Sequence, residues 1–161
     1  MAEVKRKYYP SGKLEEEWFE VNGIKEGGYK CYYENGPVKR IINYVNGLKE
    51  GEYNSYHENG QLKCICNFVN GKLEGEYKEY HINGQLCEIS NYVNGNVEGE
   101  YKLYNNGQPY IIRNYVNGKK EGEFKGYHEN GELKGILNYV NDIKSWITFN
   151  DIKSWITFYQ K

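Results

Sequence analysis

The chain is poor in what active sites and membrane spans are usually built from. Among 161 residues there are three histidines, three prolines, three tryptophans and a single methionine. No apolar run approaches the ~20 residues of a spanning helix, and residues 1–30 hold no apolar block of signal-peptide length. The expectation is a soluble, cytoplasmic protein. An excess of one charge is missing too: 21 Lys and Arg balance 22 Asp and Glu, for a net charge of -1. The longest basic run is Lys5, Arg6 and Lys7, which reads as a solvated terminus. Such a chain offers nucleic acid no cationic footprint and anionic lipid little attraction, so nucleic acid is excluded as a partner and membrane lipid disfavoured. The four cysteines, Cys31, Cys64, Cys66 and Cys87, form no regular framework and read as free thiols.

What is abundant points elsewhere. Only 39% of the residues are hydrophobic, yet 18 are tyrosine and 19 glycine. A tyrosine buries its ring while its hydroxyl finds water or a partner, which suits a thin structure with most side chains near a surface.

The glycines are periodic. One series of turn pairs falls at Asn22-Gly23, Asn46-Gly47, Asn70-Gly71, Asn94-Gly95, Asn117-Gly118 and Asn141-Asp142, stepping by 24, 24, 24, 23 and 24 residues. A second interleaves at Ser11-Gly12, Asn35-Gly36, Asn59-Gly60, Asn83-Gly84, Asn106-Gly107 and Asn130-Gly131. Asn-Gly tolerates the two positive φ angles of a two-residue type I′ turn, so each pair predicts a hairpin. The fold class that follows is all-β: an elongated, single-sheet antiparallel meander of about 13 strands, a β-hairpin repeat solenoid that must twist and coil. Residues 1–140 are the repeats, and residues 141–161 are a C-terminal cap in which NDIKSWITF occurs twice.

Two strand types alternate. One carries Glu-Gly-Glu-Tyr-Lys-x-Tyr, as in Glu74 to Tyr80; the other reads like Gln85 to Val93. Counting outward from Asn59-Gly60 pairs His57 with Leu62, Ser55 with Cys64, Tyr53 with Cys66 and Gly51 with Phe68. Side chains alternate along a strand. One face therefore collects Gly and the first Tyr of the first strand type with the Tyr or Phe of the second, leaving Tyr92 free to lie over Gly75. The other collects Glu76, Lys78, Tyr80, Ile89 and Asn91. The first face is expected inside.

Two places depart from the repeat. Between Asn94 and Asn106 one residue is missing and Pro109-Tyr110 follows, which reads as an altered turn or kink, or as an irregularity at a partner contact. After Asn141 the glycine and tyrosine signal yields to Trp146, Phe149, Trp155 and Phe158. Terminal repeats need an end that closes the array, so a cap fits. Helical spacing of Ile143, Trp146 and Ile147 also fits, and if uncovered these rings are candidate dimerisation residues.

No catalytic, cofactor-binding or metal-binding residue is indicated. His57, His81 and His128 share one repeat position, and equivalent positions in successive repeats lie about 9.6 Å apart at 4.8 Å per strand, too far for one zinc ion. Cys64 and Cys66 share a face and read as small buried hydrophobes. The glutamates Glu26, Glu50, Glu74, Glu98 and Glu121 form a ladder, whereas catalysis needs one asymmetric constellation. Tyr29, Tyr53, Tyr77, Tyr101 and Phe124 form an aromatic ladder that reads as a structural spine or as a protein or peptide groove. Base stacking would need a cationic groove, and acidic residues flank these rings along the chain.

The repeated residues Gly-x-Tyr-Lys-x-Tyr-x-x-Asn-Gly-x-Leu and Asn-Tyr-Val-Asn-Gly-Lys-x-Glu-Gly, best seen from Gly75 to Gly99, resemble the MORN repeat over residues 8–140. They are more similar to its variant form, which occurs in bacterial proteins labelled antitoxin components and in large DNA viruses of protists. Where the standard unit has a second glycine this chain has Tyr53 or Tyr77. The resemblance implies an elongated hairpin sheet used for protein contact, dimerisation and lipid contact. Heavy use of Asn, Ile, Lys and Tyr suggests an A+T-rich genome and favours the viral branch, which would place the protein in a host cytoplasm or a virion. The expectation is a non-enzymatic scaffold for protein–protein interaction and self-assembly, a homodimer with no small-molecule substrate. A toxin-neutralising binder and a membrane-lipid-binding module are the alternatives.

Overall fold

A computed structural model describes residues 2–148. Their strands are β1 (Ala2–Tyr8), β2 (Leu14–Val21), β3 (Ile24–Tyr32), β4 (Val38–Val45), β5 (Leu48–Tyr56), β6 (Leu62–Val69), β7 (Lys72–Leu73) and β8 (Gly75–Tyr80). There follow β9 (Leu86–Val93), β10 (Asn96–Val97), β11 (Gly99–Asn105), β12 (Gln108–Val116), β13 (Lys119–Tyr127), β14 (Leu133–Val140) and β15 (Ile143–Thr148). All belong to one open antiparallel meander. The count exceeds the 13 read from the turns because the third and fourth repeats each interrupt one strand, β7 from β8 at Glu74 and β10 from β11 at Glu98.

The first turn series is as expected. Asn46 and Gly47 have φ of 50° and 78°, and the pairs at Asn22, Asn70, Asn94 and Asn117 match them. Asp142 stands in for glycine at φ 68°. The second series, apart from Asn106-Gly107, is not type I′. At Asn59-Gly60 only Gly60 has positive φ, 84°, and its N–H donates to the His57 carbonyl at 2.9 Å while the His57 N–H donates to the Gln61 carbonyl at 2.8 Å. That is a type I turn closed by a glycine bulge, with a longer loop. It shifts the register: Gly51↔Phe68, Tyr53↔Cys66 and Ser55↔Cys64 hold, but Leu62 faces Tyr56 rather than His57, and Lys63 is the extra residue.

The shortened repeat shows why the difference matters. Asn106 and Gly107 both have positive φ, 50° and 76°, between the paired residues Asn105 and Gln108. Loss of one residue has converted the longer turn into a two-residue type I′ turn, the altered-turn reading. Tyr110 occupies the bulge position, held elsewhere by Lys63 or Cys87.

A second irregularity recurs at each Glu-Gly. Ile41 pairs with Asn54 and Asn43 with Glu50, so Ile42 alone spans Gly51, Glu52 and Tyr53. Gly51 has φ 79°, and Gly27, Gly75, Gly99 and Gly122 lie between 76° and 80°. A Cβ at any of these five would meet nothing within 4 Å. The glycine row therefore does not exist to receive Tyr92 or its equivalents; it supplies a left-handed backbone that L-residues reach only with strain.

The first face is the buried one. Leu137, Ile42, Tyr29, Ser90, Cys31, Cys66, Cys64 and Phe124, all on it, are 1% to 9% exposed. A single flat layer would leave each of them open above, so the sheet coils about this face. Ile143–Thr148 extends the sheet as β15, so helical spacing does not prevail there: the β14 edge offers a ladder, with Val140↔Ile143 and Ile136↔Thr148 paired.

Candidate functional site

The aromatic ladder is a run of edge-to-face pairs. Tyr29 meets Tyr44, Tyr53 meets Phe68, Tyr77 meets Tyr92, Tyr101 meets Tyr115 and Phe124 meets Tyr139, with centroids 5.8–6.2 Å apart and planes at 62–70°. The geometry follows from register. Tyr44 lies opposite Gly27, two positions along from Tyr29, and this diagonal brings ring edge to ring face. Burial pushes the phenols of Tyr29, Tyr53, Tyr77, Tyr92, Tyr101 and Tyr115 above the ordinary tyrosine value.

The glutamates beside the rings in the chain do not lie beside them in the fold. Strand alternation sends Glu52, Glu76, Glu100 and Glu123 to the other face, and toward both ends of the ladder cations cover the rings. Lys25 Nζ sits 4.6 Å from the Tyr29 centroid, 5.0 Å from Trp18 and 5.3 Å from Tyr44. Lys49 Nζ lies 4.7 Å from Phe68, Lys120 Nζ 5.3 Å from Tyr139 and the Arg113 guanidinium 4.2 Å from Tyr101. Arg40 donates to the Tyr29 hydroxyl at 3.1 Å. The same repeat position that holds Lys25, Lys49 and Lys120 holds Leu73 and Val97 in the other two repeats.

The middle of the face carries the opposite sign. Glu79 and Glu88 are direct cross-strand partners. Glu88 accepts from the Tyr101 hydroxyl at 2.7 Å and the Ser90 hydroxyl at 3.2 Å, and Glu79 from the Tyr77 hydroxyl at 3.2 Å. Cys64 lies across from Glu79. The neighbouring Cys64 thiol, together with burial, holds the Cys66 thiol far above its usual range. Along this face the charge thus runs positive over β3 to β5, negative on β8 and β9, and positive again at Arg113 and Lys120.

Two ladders hold the edges. On the type I′ edge the carboxylates of Glu26, Glu50, Glu74, Glu98 and Glu121 accept the backbone N–H of Asn46, Asn70, Asn94, Asn117 and Asn141, one repeat on, at 2.7–2.9 Å. Beside them the Gly47 N–H reaches the Lys25 carbonyl at 2.9 Å, and the Gly71, Gly95 and Gly118 N–H groups do the same in turn. On the other edge the hydroxyls of Tyr9 and Tyr33 donate to the carbonyls of Tyr32 and Tyr56, and His57 Nε2 lies 2.9 Å from the Tyr80 carbonyl. The histidine position is thus a strut between repeats. Sequence reasoning missed the glutamate caps; the signal was the constant 19- or 20-residue interval from each Glu to the Asn it holds.

Of the residues singled out for dimerisation, Trp146 lies in β15 with its backbone opposite Asn138. Phe149, Trp155 and Phe158, and with them most of the cap, lie outside the described residues.

None of the curated proteins compared with the chain matches it. The model of the MORN repeat variant matches residues 4–19, 25–46, 49–70, 73–94 and 120–141, well over half of the chain. The matched ranges pass over 95–119, the repeat with the shortened turn. Five matches spaced as the hairpins are spaced establish the family, and the chain belongs to the MORN repeat variants, whose repeats serve in general as protein- or lipid-binding modules.

Proposed function

We propose that the chain is a non-enzymatic repeat scaffold that binds protein partners along its coiled aromatic face and assembles with itself through its C-terminal segment. The observation that carries the reading is the continuity of that face: one aromatic pair in each of five repeats of a single sheet, the rings partly buried by the coil and overlain by Lys25, Lys49, Arg113 and Lys120. A surface repeated every two strands, about 9.6 Å, suits an extended protein partner better than a compact substrate. Its alternating charge favours a partner segment with complementary signs over one of uniform charge. Self-assembly rests on the sequence, in which NDIKSWITF occurs twice and the second copy carries Trp155 and Phe158.

Light scattering at concentrations on the order of tens of micromolar tests the assembly half. Twice the 18.9 kDa of one chain, falling to one chain in Trp155→Ala, is the expected result. A single-chain mass that Trp155→Ala leaves unchanged overturns it. Cross-linking mass spectrometry on native complexes tests the other half: partner cross-links should fall on Lys25, Lys49 and Lys120. A partner linked only to Lys78, Lys102 and Lys125 of the opposite face would reject it.

A further inference from the structure

Lysines on the two faces of the sheet are treated differently. On the open face Lys78, Lys102 and Lys125 each hold a glutamate two residues back: Glu76, Glu100 and Glu123, at 2.5–2.7 Å. On the buried face Lys25, Arg40 and Lys49 come from three successive strands, β3, β4 and β5, and meet ring faces and a phenol instead of carboxylates. They line a cavity of about 290 Å³ together with Tyr29, Tyr44 and Tyr53. One acid, Glu16, also lines it, and Glu16 is shared with Lys7 at 4.0 Å. Glu20, opposite Lys25 in the ladder, is engaged by the Trp18 indole N–H at 2.8 Å. The cavity therefore has three cations against one carboxylate, in surroundings where aromatic walls lower the local dielectric and strengthen every charge.

Packing alone does not require these cations. Leu73 and Val97 fill the Lys25 and Lys49 position in other repeats with the same ring geometry, Tyr77 on Tyr92 and Tyr101 on Tyr115. Arg40 likewise corresponds to Cys64, Glu88, Ile111 and Gly135 on the equivalent strands. Two repeat positions, one of which is cationic elsewhere only at Lys120 and the other nowhere else among these strands, thus place three cations together around one cavity. The buried Arg40 Nε has no hydrogen-bond partner among the described residues, which leaves a donor for an anion.

We propose that this cavity is a binding site for a small, doubly charged oxyanion of the phosphate type, free in solution, held by Lys25, Arg40 and Lys49. The volume admits a phosphomonoester of modest size. The ring faces of Tyr29, Tyr44 and Tyr53 form its walls, and the ammonium groups supply point charges without demanding a fixed ligand geometry. The inference is independent of the scaffold reading, which stands or falls on partners along the whole face.

The test uses the full chain and inorganic phosphate as probe, followed by isothermal titration and by chemical-shift changes of the tyrosine rings. One phosphate per chain is expected, with shifts at Tyr29, Tyr44 and Tyr53. Lys25→Leu and Lys49→Leu, which copy the Leu73 repeat and so keep the fold, should each weaken binding by about tenfold, and the double variant should abolish it. Lys120→Leu, at the far end of the same face, should change nothing. The proposal is overturned if phosphate fails to bind, if binding survives in the double variant, or if Lys120→Leu weakens it equally. It is also overturned if phosphatidate-containing vesicles bind while free phosphate does not.

Discussion

The carboxylate of Glu50 accepts the backbone N–H of Asn70, twenty residues later, at 2.8 Å. A type I′ turn leaves the N–H of its first residue without a partner inside the hairpin, and here the preceding repeat provides one. Replacing Glu50 with Ala should destabilise the fold by about 1 kcal/mol, as losing a helix cap does, and lower Tm by about 3 °C. Glu50→Gln, which keeps an acceptor, should cost less. Thermal denaturation of both reads the difference.

Gly75 sits at φ 80° with open space where a Cβ would go. Gly75→Ala should therefore cost about 1–2 kcal/mol through backbone strain alone. Gly75→Asn, larger but more tolerant of that φ, should cost less than Ala. A greater loss for Asn, measured by urea denaturation, would mean that space and not φ selects glycine.

Alkali should unfold the protein. The shifted tyrosines are raised by burial above their ordinary value of 10.0. The folded state therefore holds phenolic protons that the unfolded state releases first. This contribution is complete below about pH 10 and is lost as pH rises from there toward the folded values. Absorbance titration should show steep, cooperative tyrosinate formation coinciding with loss of sheet circular dichroism.

The four thiols should separate by place. Cys31, Cys64 and Cys66 are 4–7% exposed on the coiled face, and the Cys66 thiolate is further suppressed. Cys87 sits half-exposed at a bulge. Brief alkylation of native protein followed by mass spectrometry should label Cys87 first, with Cys66 protected until denaturant is added.

The sheet was legible in the sequence because Asn-Gly reports backbone φ directly, and pairings such as Gly51↔Phe68 followed by counting. The count failed at His57. Asn59-Gly60 and Asn70-Gly71 are the same dipeptide in different turns, and the choice rests on loop length and on whether an Asn side chain caps the backbone, as Asn59 does for the Gln61 N–H at 3.1 Å. The aromatic ladder was legible as spacing, but its cations were not: Lys25 and Tyr44 are 19 residues apart and meet only through the register that the Gly27 bulge displaces. The role of the Glu ladder was hidden because its partner is a backbone N–H, which carries no sequence letter.

The glutamate-to-turn bonds all point one way, each repeat finishing its successor. That makes the array vectorial. Taking a whole unit from the C-terminal end idles one carboxylate, which water can serve. Taking one from the N-terminal end strips the cap from the next turn, and with it the brace that turn needs to close. An array built like this tolerates copying and trimming unequally in its two directions, and the two NDIKSWITF copies begin at Asn141, on the side where such change costs least.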